Sequence, residues 1–411
     1  MPLRIRPGSF AFTLLLGALS MLPPFSIDMG LPALPVMAQS LGTTSAGASL
    51  SLSLFMLGFA LAPLVYGPLS DRYGRRPLLL IGCTVFVVAG VGCAVAHSLP
   101  VLLSWRFIQG AGAGAGSVLV LAIIRDLFEG ATARARLSYV TLVMGIAPMV
   151  APTIGAWVLT VAHWRFIYAT LAAGGVVLLL ASGLGLEESM RRDAGATLSV
   201  KGLVRDYGQA LRHRRSIGYS IINALSFGCA FAYISGSSLV LMDVLGVSPT
   251  VYGLCFAITA VASMTGAFTN GRLSARGVSA ATLLKVGMAL CVTGATVLVL
   301  MTLGGMARLG TLMPVFFVCH FSIGFISPNA THGALQPMAR IAGVASAVLS
   351  GLRMLGAALA SALVAWFFDG RSALAVTGVM AGFALSALLV YVLLVRPEER
   401  RAEPTALPVE A

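Results

Sequence analysis

The sequence predicts an all-α membrane protein of twelve transmembrane helices in two halves of six. Three observations carry that expectation. Hydrophobic residues make up 58% of the 411-residue chain and charged residues 10%, where a soluble domain carries roughly 25% charged residues. Apolar runs close to the ~20 residues needed to cross a bilayer recur along nearly the whole chain, and the mean hydropathy is +0.94. The basic residues gather in alternate connections between those runs, which is the positive-inside pattern. The same placement excludes the nucleic-acid partner that a net charge of +13 would otherwise suggest.

The apolar runs place spans at about 10–34, 47–67, 78–97, 101–124, 139–161, 166–186, 217–242, 251–270, 280–303, 311–337, 343–368 and 373–395. The division is then an N-terminal bundle (1–186), a polar linker (187–216), a C-terminal bundle (217–395) and a tail (396–411). With a cytoplasmic N-terminus, twenty-one Lys and Arg residues fall inside and three, Arg165, Arg308 and Arg371, outside. Both termini and the linker are therefore expected on the cytoplasmic side. The first run follows Arg4 and Arg6 as a secretory signal would, but it is longer than a signal core and reads as the first span. The six cysteines all lie within apolar runs without a CxxC pair and read as small buried hydrophobes.

Asp28, in LPPFSIDMGLP, is an acid inside an apolar span. A charge near a helix centre costs about 2.5–3.5 kcal/mol on insertion scales, so such residues tend to face a cavity and work there. A buried carboxyl favours its neutral form, and an acid so placed can take a proton from one side and release it to the other. Pro23 and Pro24 are expected to kink the span just before it. Arg106, a few residues into the fourth span, needs a partner or water. It either influences a nearby acid, holds a network of carbonyls, or snorkels to the interface, and Gln109, one turn on, is placed to help hold it. Lys285 and Arg353 read as lying near inside ends and snorkelling.

The second-to-third connection, GPLSDRYGRRP, turns two helices tightly. Gly67 and Gly74 supply turn geometry and close approach. Asp71 sits among Arg72, Arg75 and Arg76 and can face the positive end of a helix. Such a cluster can latch helices in one state and release them in another. The equivalent place in the second half, GAFTNGRLSARG, repeats the spacing in degenerate form, with Asn270 where the first half has Asp71. Several motifs fail on context. GAGAGAG, from Gly110, follows no strand and reads as helix packing through small residues. His320 and His332 lie about 18 Å apart along one helix and cannot share a metal.

GPLSDRYGRRP closely resembles the signature loop of the major facilitator superfamily. WRFIQGAGAGAG resembles its fourth-span R-x-x-Q-G-x-G motif, with Arg106, Gln109, Gly110 and Gly112 in place. GIAPMVAPTIGAW resembles the fifth-span motif of its drug antiporters, with Gly145, Pro152 and Gly155 matching and Ala151 and Ala156 where the pattern prefers glycine. DMGLPALP, LVYGPLSDRYGRRPLLL, IIRDLF and PNATHGALQPMARIAGVASA narrow the resemblance to the bicyclomycin/chloramphenicol-resistance (Bcr/CflA) branch.

The resemblance implies two pseudo-symmetric six-helix bundles around a central cavity. It implies proton-coupled efflux of small amphiphilic antimicrobials, such as phenicols or bicyclomycin, across the bacterial inner membrane. Asp28 and Arg106 would then be the proton-coupling pair, the Asp71 loop the conformational latch, and Gly145, Ala151, Pro152 and Gly155 the fifth-span hinge and seal. Phe25, Met29, Phe55, Tyr139, Met144, Phe231 and Tyr233 are candidates for an adaptable substrate pocket. The energy source is the proton gradient, with no cofactor and no metal, and the expected partners are drug, protons and lipid, with the chain a monomer. The rival reading is a same-fold exporter of a physiological metabolite such as an amino acid or siderophore. An intramembrane enzyme would want paired carboxylates or metal ligands, and the acids near the span ends are isolated or sit in basic loops.

Overall fold

A computed structural model of the chain describes residues 5–190 and 200–402. Arg4, Arg191 and Arg192, counted above among the inside charges, and the tail beyond residue 402 lie outside the described residues. Among the described residues are twelve helices long and apolar enough to cross a membrane. Spans 1 to 6 are Phe10–Ser40, Ser45–Tyr73, Arg75–Ala94, Leu99–Leu127, Ala135–Val161 and Arg165–Gly185. Spans 7 to 12 are Arg214–Val244, Pro249–Ala275, Ala280–Leu303, Leu309–Met338, Ala342–Phe367 and Leu374–Glu399.

The span starts are written in local chemistry. Side chains of Ser9, Thr44, Ser248 and Ser279 accept the orphan backbone N–H groups of the helices they precede. Several ends run further into polar sequence than hydropathy indicates. GPLSDRYGRRP is helical on both sides, and Gly74 alone makes the turn with φ +105°. The 187–216 segment is not wholly loop. It holds a helix, Val200–Arg212, whose Ala210 is buried with Met338, Ile341 and Ala345. Span 7 already begins at Arg214.

Within each half, helices meet backbone to backbone. Gly110 of span 4 lies against the Phe55 carbonyl of span 2, and Gly266 of span 8 against the Phe321 carbonyl of span 10. Any β-carbon there would overlap the opposing oxygen. Between the halves, span 2 packs on span 11 and span 5 on span 8. Residues 45–60 of span 2 are mostly buried, while Leu61, Leu64, Val65 and Leu69 are exposed. Span 11 follows the same trend, with Ala357, Ala358, Ala360 and Ser361 buried and residues 342–354 more open. At the end of the bundle away from the chain termini, Ser45 of span 2 lies beside Asp243 of span 7. The halves are thus closed together at that distal end and part toward the terminal end.

Candidate functional site

Asp28 ends the first helix. The helix Phe10–Asp28 runs continuously through Pro23 and Pro24, and the chain breaks just behind the acid. Pro32 has no N–H to give the Asp28 carbonyl, and the chain turns through Leu31–Ala33 into a short helix, Leu34–Ser40. This places Asp28 at the closed distal end, 4% exposed. The turn after it packs on spans 5, 7 and 8, and the acid lies within electrostatic reach of Tyr252 on span 8. No ion pair reaches it among the described residues.

Arg106 is 1% exposed and does not snorkel. Its fork is used on three acceptors. One Nη donates to Gln109 Oε1 at 2.7 Å, the other to the Ser26 carbonyl at 3.0 Å, and Nε donates to the Ser51 carbonyl at 3.4 Å. The guanidinium stacks 4.4 Å from the Phe55 ring centroid and 5.5 Å from that of Tyr168. Of the sequence alternatives, the carbonyl network is the one realised. Ser26 belongs to the last turn before the helix ends, where backbone carbonyls lack helical partners. Arg106 therefore fixes the backbone two residues before Asp28 rather than the acid itself.

The fifth-span motif meets the same turn from the other side. Gly155 lies against the Met29 carbonyl, with Ala151, Pro152 and Ala156 buried beside it. The helix runs unbroken over Gly130–Val161 through Pro148 and Pro152. Gly145 is loosely placed opposite Met264 of span 8. Gly112 abuts the Phe86 backbone of span 3.

In the signature loop, Arg75 is the hub. It pairs with Asp71, donates to Ser70 Oγ at 2.7 Å and pairs with Asp126 Oδ2 of span 4 at 3.0 Å. Glu188, past span 6, accepts the backbone N–H groups of Arg75 at 2.9 Å and Arg76 at 3.2 Å. The Arg76 side chain donates to the Gly183 carbonyl at 2.5 Å. Two expectations change. The carboxylate at the positive helix end belongs to Glu188, because Asp71 sits in the last turn of the preceding helix. Gly67 is inside that helix with nothing within 4 Å of where a β-carbon would be, so close approach is not its role. Arg72 stacks on Tyr73, 5.3 Å from the ring centroid. In the second half, Asn270 accepts from Asn329 at 2.7 Å, a neutral pair where the first half has charge.

Five of the seven pocket candidates share one hydrophobic cluster. Met29, Phe55, Phe231 and Tyr233 are buried in packing, Phe25 is half-buried, and Tyr139 and Met144 are exposed on span 5. Tyr233 joins Phe316 and His320, with ring centroids 4.6 and 4.7 Å away. Sequence reasoning missed Asp126, Glu188, Tyr168 and Tyr252. IIRDLF did contain Asp126, but a lone letter pattern says nothing of its partner fifty-one residues away. Arg353 was also misplaced. It stands at the twelfth residue of a 26-residue span, near its middle, with its guanidinium 4.0 Å from the Phe227 ring centroid. All six cysteines are buried and free.

Residues 14–361 match the family model of the Major Facilitator Superfamily. The chain is 33% identical over 356 residues to an uncharacterized MFS-type transporter, YdgK, of Bacillus subtilis, covering 86% of this chain and 88% of that one. It is 30% identical to a bicyclomycin resistance protein homolog of Haemophilus influenzae, covering 87% of this chain and 89% of that one. It is 31% identical to the multidrug resistance protein MdtL of Escherichia coli, covering 83% and 85%. In structure it is similar to a POT family transporter, with TM-score 0.74, 13% identity and coverage of 97% and 99%. It is also similar to a D-xylose-proton symporter, with TM-score 0.72, 18% identity and coverage of 94% and 98%. By sequence match over most of its length and by fold, the chain belongs to the major facilitator superfamily of membrane transporters.

Proposed function

We propose that the protein exports small amphiphilic antimicrobials, phenicols or bicyclomycin among them, by exchange with protons across the bacterial inner membrane. Its termini and linker would face the cytoplasm, as the charge asymmetry of the connections argues. The observation that carries the reading is the burial of Asp28 where the two halves close. Its neighbouring backbone is clamped by Arg106 from span 4 and sealed by Gly155 from span 5. The relatives named for bicyclomycin and multidrug resistance support the cargo class.

The mechanism follows from what each state does to Asp28. With the distal end closed, the carboxyl is dry and the cavity is open toward the terminal side, where drug enters. Opening the distal end parts Met29 from span 5 and spans 7 and 8, wets Asp28 and lets it take up a proton from outside. Drug leaves by the same opening. Return to the closed state carries the proton inward, and drug binding favours its release. Exchange requires that proton and drug stabilise different states, because a ligand shifts only the equilibrium whose two ends it binds unequally. No cofactor enters; the proton gradient drives the cycle, and one chain is sufficient for it.

The test is a susceptibility panel in a host lacking its own efflux pumps, comparing wild type with Asp28→Asn at equal membrane expression. Protection by wild type against one compound class, lost in the variant, is the expected result. Equal protection by both removes Asp28 from coupling. Protection by neither leaves a metabolite cargo as the better reading.

A further inference from the structure

We propose that Arg353, with Phe227, forms a binding site in the C-terminal half for the acidic group of an anionic amphiphile. The inference deepens the export reading and rests on it for the identity of the bound molecule as cargo.

Arg353 lies eleven residues after the start of span 11 at Ala342. At ~1.5 Å per residue that is about 16 Å along the axis, half of a hydrocarbon core of about 30 Å. A side chain at that depth does not reach a headgroup phosphate on either side, so lipid phosphate is disfavoured as its counter-ion. No acidic side chain among the described residues forms an ion pair with it. Its Nε is buried without a hydrogen-bond partner, and the Phe227 ring 4.0 Å away meets one face of the guanidinium. Arg106, the arginine buried in span 4, has three acceptors. Arg353 has an aromatic platform and an unused fork. Buried arginines persist where carbonyls, acids or a polar cavity compensate them, and a planar fork suits a carboxylate best.

The direction of the side chain fits a cargo wall. On span 11, Leu355 and Leu359 are exposed along one stripe. Arg353 precedes Leu355 by two residues, about 200° around the helix, so it points away from that stripe. Ser350, three residues earlier toward the terminal end and within about 60° of it, is exposed. On span 7, Phe227 shares a face with Asn223, one turn away. Asn223 donates to the Ser327 carbonyl at 3.1 Å and to Thr331 Oγ1 at 3.0 Å of span 10, and its own Oδ1 is buried with no partner. A carboxylate on Arg353, an aromatic body on Phe227 and a donor toward Asn223 describe one small molecule bound across spans 7, 10 and 11.

The experiment measures equilibrium binding by purified full-length protein of nalidixate, an aromatic carboxylate, and of its uncharged carboxamide. Wild type is expected to prefer the carboxylate. Arg353→Gln should weaken carboxylate binding by about tenfold or more, as loss of a charged hydrogen-bond partner does, and leave carboxamide binding unchanged, while Arg353→Lys restores part of the preference. Equal binding of both probes by wild type, absence of binding of either, or an unchanged preference in Arg353→Gln overturns the site. Saturating anionic phospholipid that abolishes carboxylate binding through Arg353 also overturns it in favour of a lipid. Proton-driven flux of a neutral phenicol in proteoliposomes is measured in parallel. Flux without carboxylate preference defeats the site and leaves the export reading standing; preference without proton-driven flux of any compound does the reverse.

Discussion

The Gly155 Cα faces the carbonyl of Met29 so closely that a β-carbon would overlap the oxygen. That contact joins the fifth span to the turn one residue past the only acid buried within the first span. Gly155→Ala should therefore push span 5 and span 1 apart, at a cost of about 1–3 kcal/mol typical of overpacking. The cost falls on the distal-closed state alone. The expected outcome is a population shift toward distal opening, read by spin-label distances between spans 1 and 5, with drug efflux falling severalfold. Ala156→Gly, adjacent but without such a contact, should leave both nearly unchanged.

Arg106 holds the carbonyls of Ser26 and Ser51 and the side-chain amide oxygen of Gln109, which otherwise meets only the Cys93 thiol at 3.9 Å. Arg106→Ala strands these acceptors in the interior, and each buried unsatisfied group costs about 1–3 kcal/mol. A drop in thermal stability of the purified protein, together with loss of efflux, is expected. Arg106→Lys should recover less than half of the stability, because an ammonium cannot span Ser26, Ser51 and Gln109 at once. Full recovery by lysine would mean that charge, and not the fork, is what the site requires.

The twelve spans, the two halves and the terminal charge bias were legible because each rests on composition over some twenty residues, which no tertiary contact can hide. The oddity of Asp28 and Arg106 was legible for the opposite reason: a charge in an apolar run is costly and calls for a partner, water or an interface. Their relation was not. The sequence holds no sign that Arg106 addresses the Ser26 carbonyl eighty residues away and leaves the carboxylate alone. Glu188 was invisible because it acts on backbone N–H groups, which carry no letter. Gly67 and Gly74 looked equivalent, since a helix end and a helix interior cannot be told apart within a basic stretch. Arg353 was misread although its span, expected at 343–368, is observed at Ala342–Phe367: an arginine invites a snorkelling reading, yet its twelfth place in 26 residues is not an end.

The two glycines of the signature loop give a clean contrast. Gly74 adopts φ +105° and ψ 153°, an extended positive-φ conformation that only glycine takes readily and that costs other residues roughly 1–3 kcal/mol. It also lies against the Glu188 carboxylate that caps span 3. Gly74→Ala should lower the melting temperature and impair efflux. Gly67→Ala has open space around it and replaces a helix-interior glycine, so it should be neutral or stabilise by up to about 1 kcal/mol.

The Arg75 cluster predicts non-additivity. Asp71 and Asp126 share one guanidinium, so removing Arg75 already removes both pairs. Arg75→Ala should cost more than either Asp71→Asn or Asp126→Asn. Adding Asp126→Asn to Arg75→Ala should cost little more, or even relieve the two carboxylates left facing each other. Simple additivity in thermal stability would show that the acids act independently of Arg75.

Ser45 and Asp243 meet across the two halves at the end opposite the termini, and alternating access through that end requires them to part. A Ser45→Cys/Asp243→Cys variant should form a disulfide under mild oxidation when the distal end is closed. The six native cysteines are all buried and should not compete, which a single-cysteine control for each position checks. Oxidised protein should lose proton-driven efflux and recover it on reduction, while drug binding from the terminal side persists. Binding and transport then separate in one molecule. Retained efflux in the fully cross-linked protein would mean that this end does not open during transport, and the exit path, together with the role assigned to Asp28 beside it, would have to be sought elsewhere.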